Sequence, residues 1–180
     1  MRRAGVWAMA AVAVFVTMPS TVCYGNELQA MTQSKYPIKV FINEFSNESG
    51  GAQVQIAPAE FMKEVEKAFA NRRSVSFAIV KTPQESDVEV SAAIKSYQYM
   101  EKDPVKPSLS FIMALDAATS ENYAEMVVEF TVKDTKSGNV AWKDTITSYV
   151  KRNMTPSESV PVVYDRSARD FVAKAFGKGE

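Results

Sequence analysis

Five stretches of the chain alternate apolar and polar residues or are dense in β-branched and aromatic residues, and both patterns predict β-strands. The stretches are YPIKVFINEF (36–45), SVSFAIV (74–80), DVEVSAAIKSY (87–97), EMVVEFTVK (125–133) and NVAWKDTITSYV (139–150). The last two flank DTKSGN (134–139), a sequence that favours a turn, so they predict a hairpin. The polar side of this hairpin is rich in threonine and lysine, and we therefore expect an antiparallel sheet that keeps one face in water.

Two further stretches repeat apolar residues at the period of an amphipathic helix. APAEFMKEVEKAFANRR (57–73) has Pro58 where a helix accepts proline in its first turn, and SESVPVVYDRSARDFVAKAFGKGE (157–180) has Gly177 where a helix ends. The apolar stripes are Phe61, Val65, Ala68 and Phe69 in the first helix and Val160, Tyr164, Ala168, Phe171, Val172 and Ala175 in the second.

The order of elements is β-α-β-β-β-β-α, which predicts an α+β fold, an α/β two-layer sandwich. We expect a four- or five-stranded mixed sheet with both helices packed on one face, one parallel crossover around the first helix and a meander afterwards. Residues 98–123 have no clean period and form a predicted irregular insertion. The apolar run at 109–115 is either a loop that covers the core or an apolar lip offered to a partner or a membrane surface. The lip residues are Leu109, Phe111, Ile112 and Met113.

The amino terminus has the three parts of a secretory signal peptide. Arg2 and Arg3 precede an apolar run over 4–18, and a Pro-Ser break and small residues follow up to Gly25. A run of about 15 residues is shorter than the ~20 that a membrane-spanning helix needs. We therefore predict a cleaved signal peptide over 1–25, followed by a polar lead (26–35) and a single α/β domain (36–177).

Cys23 is the single cysteine, so no internal disulfide can form and the fold must hold by packing. It is either removed with the signal peptide or kept as the lipid-carrying first residue of the mature chain. The stretch STVC (20–23) departs from the usual lipoprotein signal, which has Leu three places before the cysteine and a small residue directly before it. This departure favours removal.

Composition narrows the class of function. With 46% hydrophobic and 23% charged residues, a chain of 180 residues has the balance of one globular domain. Without the first 25 residues, 19 basic and 21 acidic residues remain, which gives no electrostatic footprint for nucleic acid. Histidine is absent and the sole cysteine, Cys23, lies in the predicted signal peptide, so the usual zinc ligands, thiol nucleophiles and imidazole bases are missing from the predicted mature chain. We expect no catalysis, no cofactor and no metal.

Two groups of side chains could still carry chemistry or recognition. They are the carboxylates Asp87, Glu89, Asp134 and Asp144, and the aromatic residues Tyr97, Tyr99, Tyr123 and Trp142. The carboxylates could serve an enzyme that acts on cell-wall glycan, but a strand start and a turn cap explain two of them. The aromatic residues could form a platform for a sugar or a peptide, but aromatics at strand spacing more often pack in the core or across strands. For both groups we favour the structural role.

Three motifs resemble the small α/β lipoproteins of the bacterial envelope. VFINEFSNES (40–49) is an apolar strand ending in F-x-N, DVEVSAAIKSY (87–97) opens with an acidic residue and ends in I-x-x-Y, and DTKSGNVAW (134–142) fits D-x-x-S/T-G-x-x-x-W. In order of features the chain is similar to the lipopolysaccharide-assembly lipoprotein (LptE-like) family, within a wider group similar to the amino-terminal domain of TolB. This resemblance over residues 36–150 implies a periplasmic, outer-membrane-associated accessory protein that docks on a larger envelope complex, for example on an outer-membrane β-barrel.

Our leading hypothesis is a non-catalytic protein that binds and supports a larger envelope assembly. The alternatives are a self-assembling structural or secretion-channel subunit and an activator of a cell-wall synthase. The predicted contact surfaces are the loop of Asn47 and Ser49, the apolar lip, and the open strand face ending in Trp142 and Lys143. Homo-oligomer formation and peripheral membrane association are compatible with these surfaces.

Overall fold

A computed structural model of the chain describes residues 28, 31–32, 36–50, 55–101 and 121–177. Its strands are β1 (Ile38–Ile42), β2 (Ser46–Asn47), β3 (Phe77–Val80), β4 (Val88–Met100), β5 (Asn122–Asp134) and β6 (Val140–Arg152). Helix α1 spans Pro58–Ala70, helix α2 spans Pro156–Ala175, and a short 3₁₀ turn at Pro83–Glu85 lies between β3 and β4. The predicted α+β fold, with a mixed sheet and two long helices, is confirmed. Neither of these helices is both long and apolar enough to cross a membrane.

The sheet has the order β3-β1-β4-β5-β6, and β2 pairs with β4 beyond the end of β1. β1 is parallel to both β3 and β4, whereas β4, β5 and β6 are antiparallel neighbours. The predicted meander is therefore wrong at its first step, because β4 pairs with β1 and not with β3. β1 carries the fully buried Val40, and a strand buried in this way needs a neighbour on both edges to satisfy its backbone.

Both helices begin as their sequences indicate. Pro58 lies in the first turn of α1, and α2 starts with a capping box between Thr155 and Glu158. In this box the Thr155 hydroxyl oxygen accepts from the Glu158 N–H (3.3 Å), and the Glu158 carboxylate accepts from the Thr155 N–H (2.8 Å). Every residue of the two predicted apolar stripes is buried, which confirms the helical period.

The core lies between the helices and the sheet, where aromatic rings join the two layers. Phe130 of β5 stacks on Phe171 of α2 with ring centroids 4.2 Å apart, and its ring lies 5.9 Å from that of Phe61 on α1. All three side chains are buried, and each contributes roughly 1.5–3 kcal/mol by leaving water. Because both helices contact the same residue of the sheet, they lie on one face, as predicted.

The amino-terminal boundary of the domain lies earlier than residue 36. Leu28 and Met31 are helical, Leu28 is only 1% exposed, and Met31 packs against the core. The predicted polar lead (26–35) therefore contributes to the core. Two apolar residues three apart on a helix lie on the same side of it, and so short a pattern is easily overlooked among polar residues.

The irregular insertion is narrower than the predicted 98–123, because β4 continues to Met100 and β5 begins at Asn122. A β-bulge at Lys95 shifts the phase of β4, so that Ile94 and Tyr97, three residues apart, are both buried. This shift breaks the strict alternation of buried and exposed residues along β4. Residues 102–120, with the predicted apolar lip, lie outside the described residues.

Candidate functional site

The face of β4, β5 and β6 that points away from the helices, here called the open face, is not covered by the two long helices. On β5 and β6 it carries the polar residues that the alternation predicts. They are Thr131, Lys133, Lys143, Thr145 and Thr147, all partly or fully exposed. Cross-strand pairing places Thr131 opposite Lys143 and brings threonine and lysine into one surface. The open face is therefore a hydrated sheet surface, available for contact.

A row of alternating charges crosses the middle of the open face. The Lys95 ammonium of β4 lies 2.8 Å from the Glu48 carboxylate and 3.7 Å from that of Glu129 on β5, and Lys143 of β6 lies 3.2 Å from Glu129. The hydrogen bond with Lys95 lowers the pKa of Glu48, and the same bond raises the pKa of Lys95. These are exposed ion pairs, which are worth little in water, so they set the polarity of the face more than its stability.

An aromatic end closes the open face beside the last residues of β4 and the first of β5. Here the rings of Tyr123 and Tyr149 stack with centroids 6.0 Å apart, and the Arg166 guanidinium of α2 lies 5.0 Å from the centre of the Tyr149 ring. Tyr149 is 49% exposed and Met100, across from Tyr123, is 54% exposed. We call Met100, Tyr123, Tyr149 and Arg166 the aromatic end. Exposed tyrosine and arginine are the residue types that dominate binding energy at protein interfaces.

Two hydrogen bonds hold the aromatic end in place. The Tyr123 hydroxyl donates to the Glu125 carboxylate, which raises the pKa of Tyr123 to about 12. The Arg166 guanidinium donates from Nη1 to the carbonyl oxygen of Tyr149 (2.9 Å) while it lies over the ring. Both tyrosine rings are thus held in fixed positions before any partner arrives, which lowers the entropy cost of binding.

The predicted contact residues Asn47 and Ser49 are engaged with their own loop. The Asn47 side chain donates from Nδ2 to the Ile56 carbonyl (3.3 Å), and its Oδ1 accepts from the Ser49 N–H (3.0 Å) and from the Ser49 hydroxyl (2.6 Å). This is the local hydrogen bonding of an Asx turn. The two residues shape the loop, and their role in partner contact remains a prediction.

Trp142 and Lys143 do not share a surface, although both were expected at the end of the open face. Trp142 lies on the helix side of β6, where its ring centroid is 5.6 Å from that of Phe171, whereas Lys143 lies on the open face beside Glu129. Neighbouring residues of a strand point to opposite faces, so only one of the two can contact a given partner. The predicted lip residues Leu109, Phe111, Ile112 and Met113, and the candidate lipid carrier Cys23, lie outside the described residues.

Three of the four candidate carboxylates, Asp87, Asp134 and Asp144, accept hydrogen bonds from backbone N–H groups, and Glu89 accepts from the Asn43 side-chain amide (2.7 Å). Asp134 accepts from the N–H groups of Lys136 (2.8 Å) and Ser137 (2.7 Å), and the hydrogen bond from Ser137 is the main reason that its pKa is lowered. Asp87 accepts from the Lys39 N–H (3.0 Å) and fixes the start of β4 beside β1. A turn cap and a strand start account for these two residues. In the part of the chain that the structure describes, no three acidic, histidine or cysteine side chains converge as metal ligands would.

The four candidate aromatic residues do not form one platform. Tyr97 and Tyr99 lie on the helix side, where their hydroxyls donate to the carbonyls of Pro156 (3.2 Å) and Met154 (2.6 Å) at the start of α2. Tyr123 alone is on the open face, and its aromatic neighbour is Tyr149.

Sequence reasoning missed Met100, Tyr149 and Arg166 as members of a candidate site. For Tyr149 the signal was present, because it continues the alternation of Thr145 and Thr147 by one step. Met100 was hidden by the bulge at Lys95. Arg166 gave no signal, since its position over Tyr149 depends on how α2 crosses β6.

Comparison with known proteins shows a similarity of fold but not of sequence. No family model matches the chain, and no curated protein matches it by sequence. Solved structures do. The fold of the chain is similar to that of a PelC subunit. The PelC dodecamer of Paraburkholderia phytofirmans superposes with a TM-score of 0.54 at 13% identity, over 79% of this chain and 90% of that chain.

Two further solved structures have the same fold. Hypothetical protein CT253 of Chlamydia trachomatis superposes with a TM-score of 0.52 at 10% identity, over 77% of this chain and 95% of that chain. Protein XCC0632 of Xanthomonas campestris gives 0.50 at 11% identity, over 79% and 86%. At these identities the likeness concerns the arrangement of strands and helices, because a common fold hosts many functions.

Proposed function

We propose that this protein is a non-catalytic accessory protein of the bacterial cell envelope, secreted to the periplasm and associated with the outer membrane. In this proposal it binds and supports a larger assembly, of which the lipopolysaccharide-assembly machinery is the candidate suggested by its motifs. The signal peptide predicted over 1–25 supports secretion. The absence of histidine supports a binding role over catalysis.

The observation that carries the proposal is the open face with its aromatic end. Its middle is occupied by neutralised ion pairs, whereas its end presents Tyr149 and Met100 to solvent beside Arg166. A partner that covers this end gains apolar burial and ring contacts against a polar rim, which is the usual organisation of a protein interface.

The test is capture of partners from detergent-solubilised envelopes with a tagged chain, followed by mass spectrometry. A double variant, Met100→Ser with Tyr149→Ser, removes the apolar surface of the aromatic end. The matched control is Ile79→Ser, because Ile79 is also an exposed apolar strand residue (42%) but lies on β3 at the opposite edge of the sheet. We expect the wild-type chain and the control to retain an envelope complex at near-equal amount and the double variant to lose it. Equal recovery by all three chains would contradict the role of the aromatic end.

A second candidate function is a self-assembling ring or channel subunit. It is favoured by the fold shared with PelC, whose structure is a dodecamer, and by the long edge strand β6 of 13 residues. The backbone groups of Thr145 and Tyr149 point outward from this edge, where the Asp144 carboxylate accepts from the Thr145 N–H (2.8 Å) and Arg166 donates to the Tyr149 carbonyl. Thr147 lies between these two guarded positions and points the same way, so it is the point at which a second chain could pair.

Sedimentation of the purified chain distinguishes the two candidates. A single-chain mass favours the accessory protein, whereas a closed oligomer favours the ring subunit. Thr147→Pro then tests the edge, because proline removes an outward N–H without removing a hydrogen bond to β5. We expect it to dissociate an oligomer that forms through β6, while Thr147→Ala leaves the oligomer intact. An oligomer that survives Thr147→Pro uses another surface.

A further inference from the structure

We infer that Met100 is an oxidation site through which a peroxide controls partner binding at the aromatic end. The inference rests on the proposed function, since it concerns the regulation of the same surface. Met100 is the last residue of β4, it lies opposite Tyr123 of β5, and its side chain is 54% exposed. Met100 is therefore accessible to a small oxidant and also belongs to the surface that a partner covers.

The other methionines that the structure describes are shielded. Met126 of β5 is fully buried. Three more are partly buried and pack against the core: Met31, Met62 and Met154. A buried side chain meets a dissolved reagent only when the structure opens around it, and core strands open least often. Among the described methionines, Met100 is therefore the first target of an oxidant in solution.

The reaction of Met100 with hydrogen peroxide is a two-electron oxygen transfer. A lone pair of Sδ attacks one peroxide oxygen, an S–O bond forms as the O–O bond breaks, and the second oxygen leaves as water after a proton shift. The sulfur is oxidised, the peroxide is reduced, and the side chain becomes methionine sulfoxide. A flexible apolar side chain thus gains a strongly polar S–O group, and a methionine sulfoxide reductase reverses the change.

The sulfoxide opposes the contact that the aromatic end offers. In the reduced protein Met100 presents apolar surface across from Tyr123, whose ring stacks on that of Tyr149. A partner that covers this surface also buries the sulfoxide oxygen, and the burial of a polar atom without a hydrogen bond is unfavourable. The nearby Tyr123 hydroxyl already donates to Glu125 and does not supply that bond. Oxidation therefore weakens partner binding, and a bound partner shields Met100 from oxidation.

The first test treats the purified chain with hydrogen peroxide and follows each methionine by peptide mass spectrometry. We expect Met100 to gain one oxygen at least about tenfold faster than Met126, because a core residue reacts only from an opened state. The two residues lie on paired strands of one sheet and share all solution conditions, so Met126 is an internal control. Comparable rates at the two residues would overturn the oxidation site, whether or not a partner is known.

The second test compares recovery of the envelope complex by peroxide-treated and untreated chains. Treatment of the wild-type chain should lower recovery at least about tenfold, because the sulfoxide is buried without a donor. Met100→Leu lacks the sulfur, so its treated and untreated recoveries should agree within about twofold. The matched control Met126→Leu replaces a core methionine by a residue of similar volume, and treatment should lower its recovery as in the wild-type chain.

The outcomes separate this inference from the proposed function. If the untreated wild-type chain recovers no complex, the proposed function fails, and the rates at Met100 and Met126 still decide the oxidation site. If the treated wild-type chain keeps its complex, or if treated Met100→Leu loses it as the wild-type chain does, control through Met100 is wrong. A loss in the wild-type chain and in Met126→Leu that is absent in Met100→Leu supports the inference. Methionine sulfoxide reductase with a thiol reductant should then restore recovery.

Discussion

Two pairs of tyrosines lie at the same end of the sheet and make different contacts. Tyr97 and Tyr99 face the helices, and their hydroxyls are bonded to the backbone at the start of α2. Tyr123 and Tyr149 face away from the helices, and they stack on each other in partial contact with water. The first pair joins the sheet to a helix, whereas the second pair leaves ring surface uncovered.

The two faces of the sheet can therefore be assigned different roles from the contacts of their side chains. On the helix side each polar atom of the tyrosines serves the fold. On the open side Arg166 and Glu125 hold the rings in position on the face away from the helices. Surface that is held in place without covering the core is the better candidate for binding a partner.

The largest expected difference between the faces is at two neighbouring residues of β5. Phe130 is fully buried against both helices, so Phe130→Ala should lower the free energy of unfolding by about 3–5 kcal/mol, through lost burial and the cavity that remains. Glu129 lies on the open face in exposed ion pairs, and Glu129→Ala should lower the free energy of unfolding by less than about 1 kcal/mol. Urea unfolding of both variants measures this contrast, and similar losses would mean that the open face is covered.

The next contrast concerns two tyrosines with the same pKa of about 12 but different causes. Burial raises the pKa of Tyr164 on α2, whereas the hydrogen bond to Glu125 is the main cause for Tyr123. Glu125→Gln should therefore return the pKa of Tyr123 toward about 10 and leave that of Tyr164 unchanged. Ultraviolet absorbance of the phenolate follows both titrations. If both move together, the two groups are coupled through the fold.

These raised pKa values also set the sign of the effect of alkaline pH on stability. A folded-state pKa above the unfolded value of about 10 means that the neutral phenol is favoured in the fold. Its contribution is fully present below about pH 10 and is lost as the pH rises toward about 12. Glu125→Gln should therefore flatten the loss of stability in that interval relative to the wild-type chain, as alkaline urea unfolding would measure.

A smaller contrast separates the two tyrosine pairs themselves. Tyr97→Phe removes the bond to the Pro156 carbonyl and the contact with the Ser159 hydroxyl (2.7 Å), and it should cost about 1–2 kcal/mol of unfolding free energy. Among the described residues the Tyr149 hydroxyl has no hydrogen-bond partner, so Tyr149→Phe should cost less than about 0.5 kcal/mol. Thermal unfolding of the two variants measures both losses. A larger loss for Tyr149→Phe than for Tyr97→Phe would refute the assignment of Tyr97 to the fold.

The periodic parts of the fold could be predicted from the sequence, because each long element buries one face at a regular spacing. The apolar stripes of α1 and α2 and the alternation of β5 are examples. Prediction failed where regularity is broken or where tertiary geometry decides. The bulge at Lys95 concealed the end of β4, and the isolated pair Leu28 and Met31 concealed a contribution to the core.

The candidate site was harder to predict than the fold for the same reason. The position of Arg166 over Tyr149 joins residues 17 apart through the crossing of a helix and an edge strand. This arrangement has no local pattern that a single sequence could display, whereas the open face could be read directly from alternating threonine and lysine.

The smallest expected effect tests whether the charge row of the open face serves stability or recognition. Lys95 lies between Glu48 and Glu129, so Lys95→Gln breaks two exposed ion pairs at once. Such pairs are worth little in water, and the free energy of unfolding should fall only slightly at low salt. The difference should vanish at high salt because ions screen exposed charges. A larger loss that persists in salt would mean that the pairs are shielded and belong to the fold. A small, salt-sensitive loss leaves the row free to orient a charged partner, since exposed charges affect the rate and specificity of association more than stability.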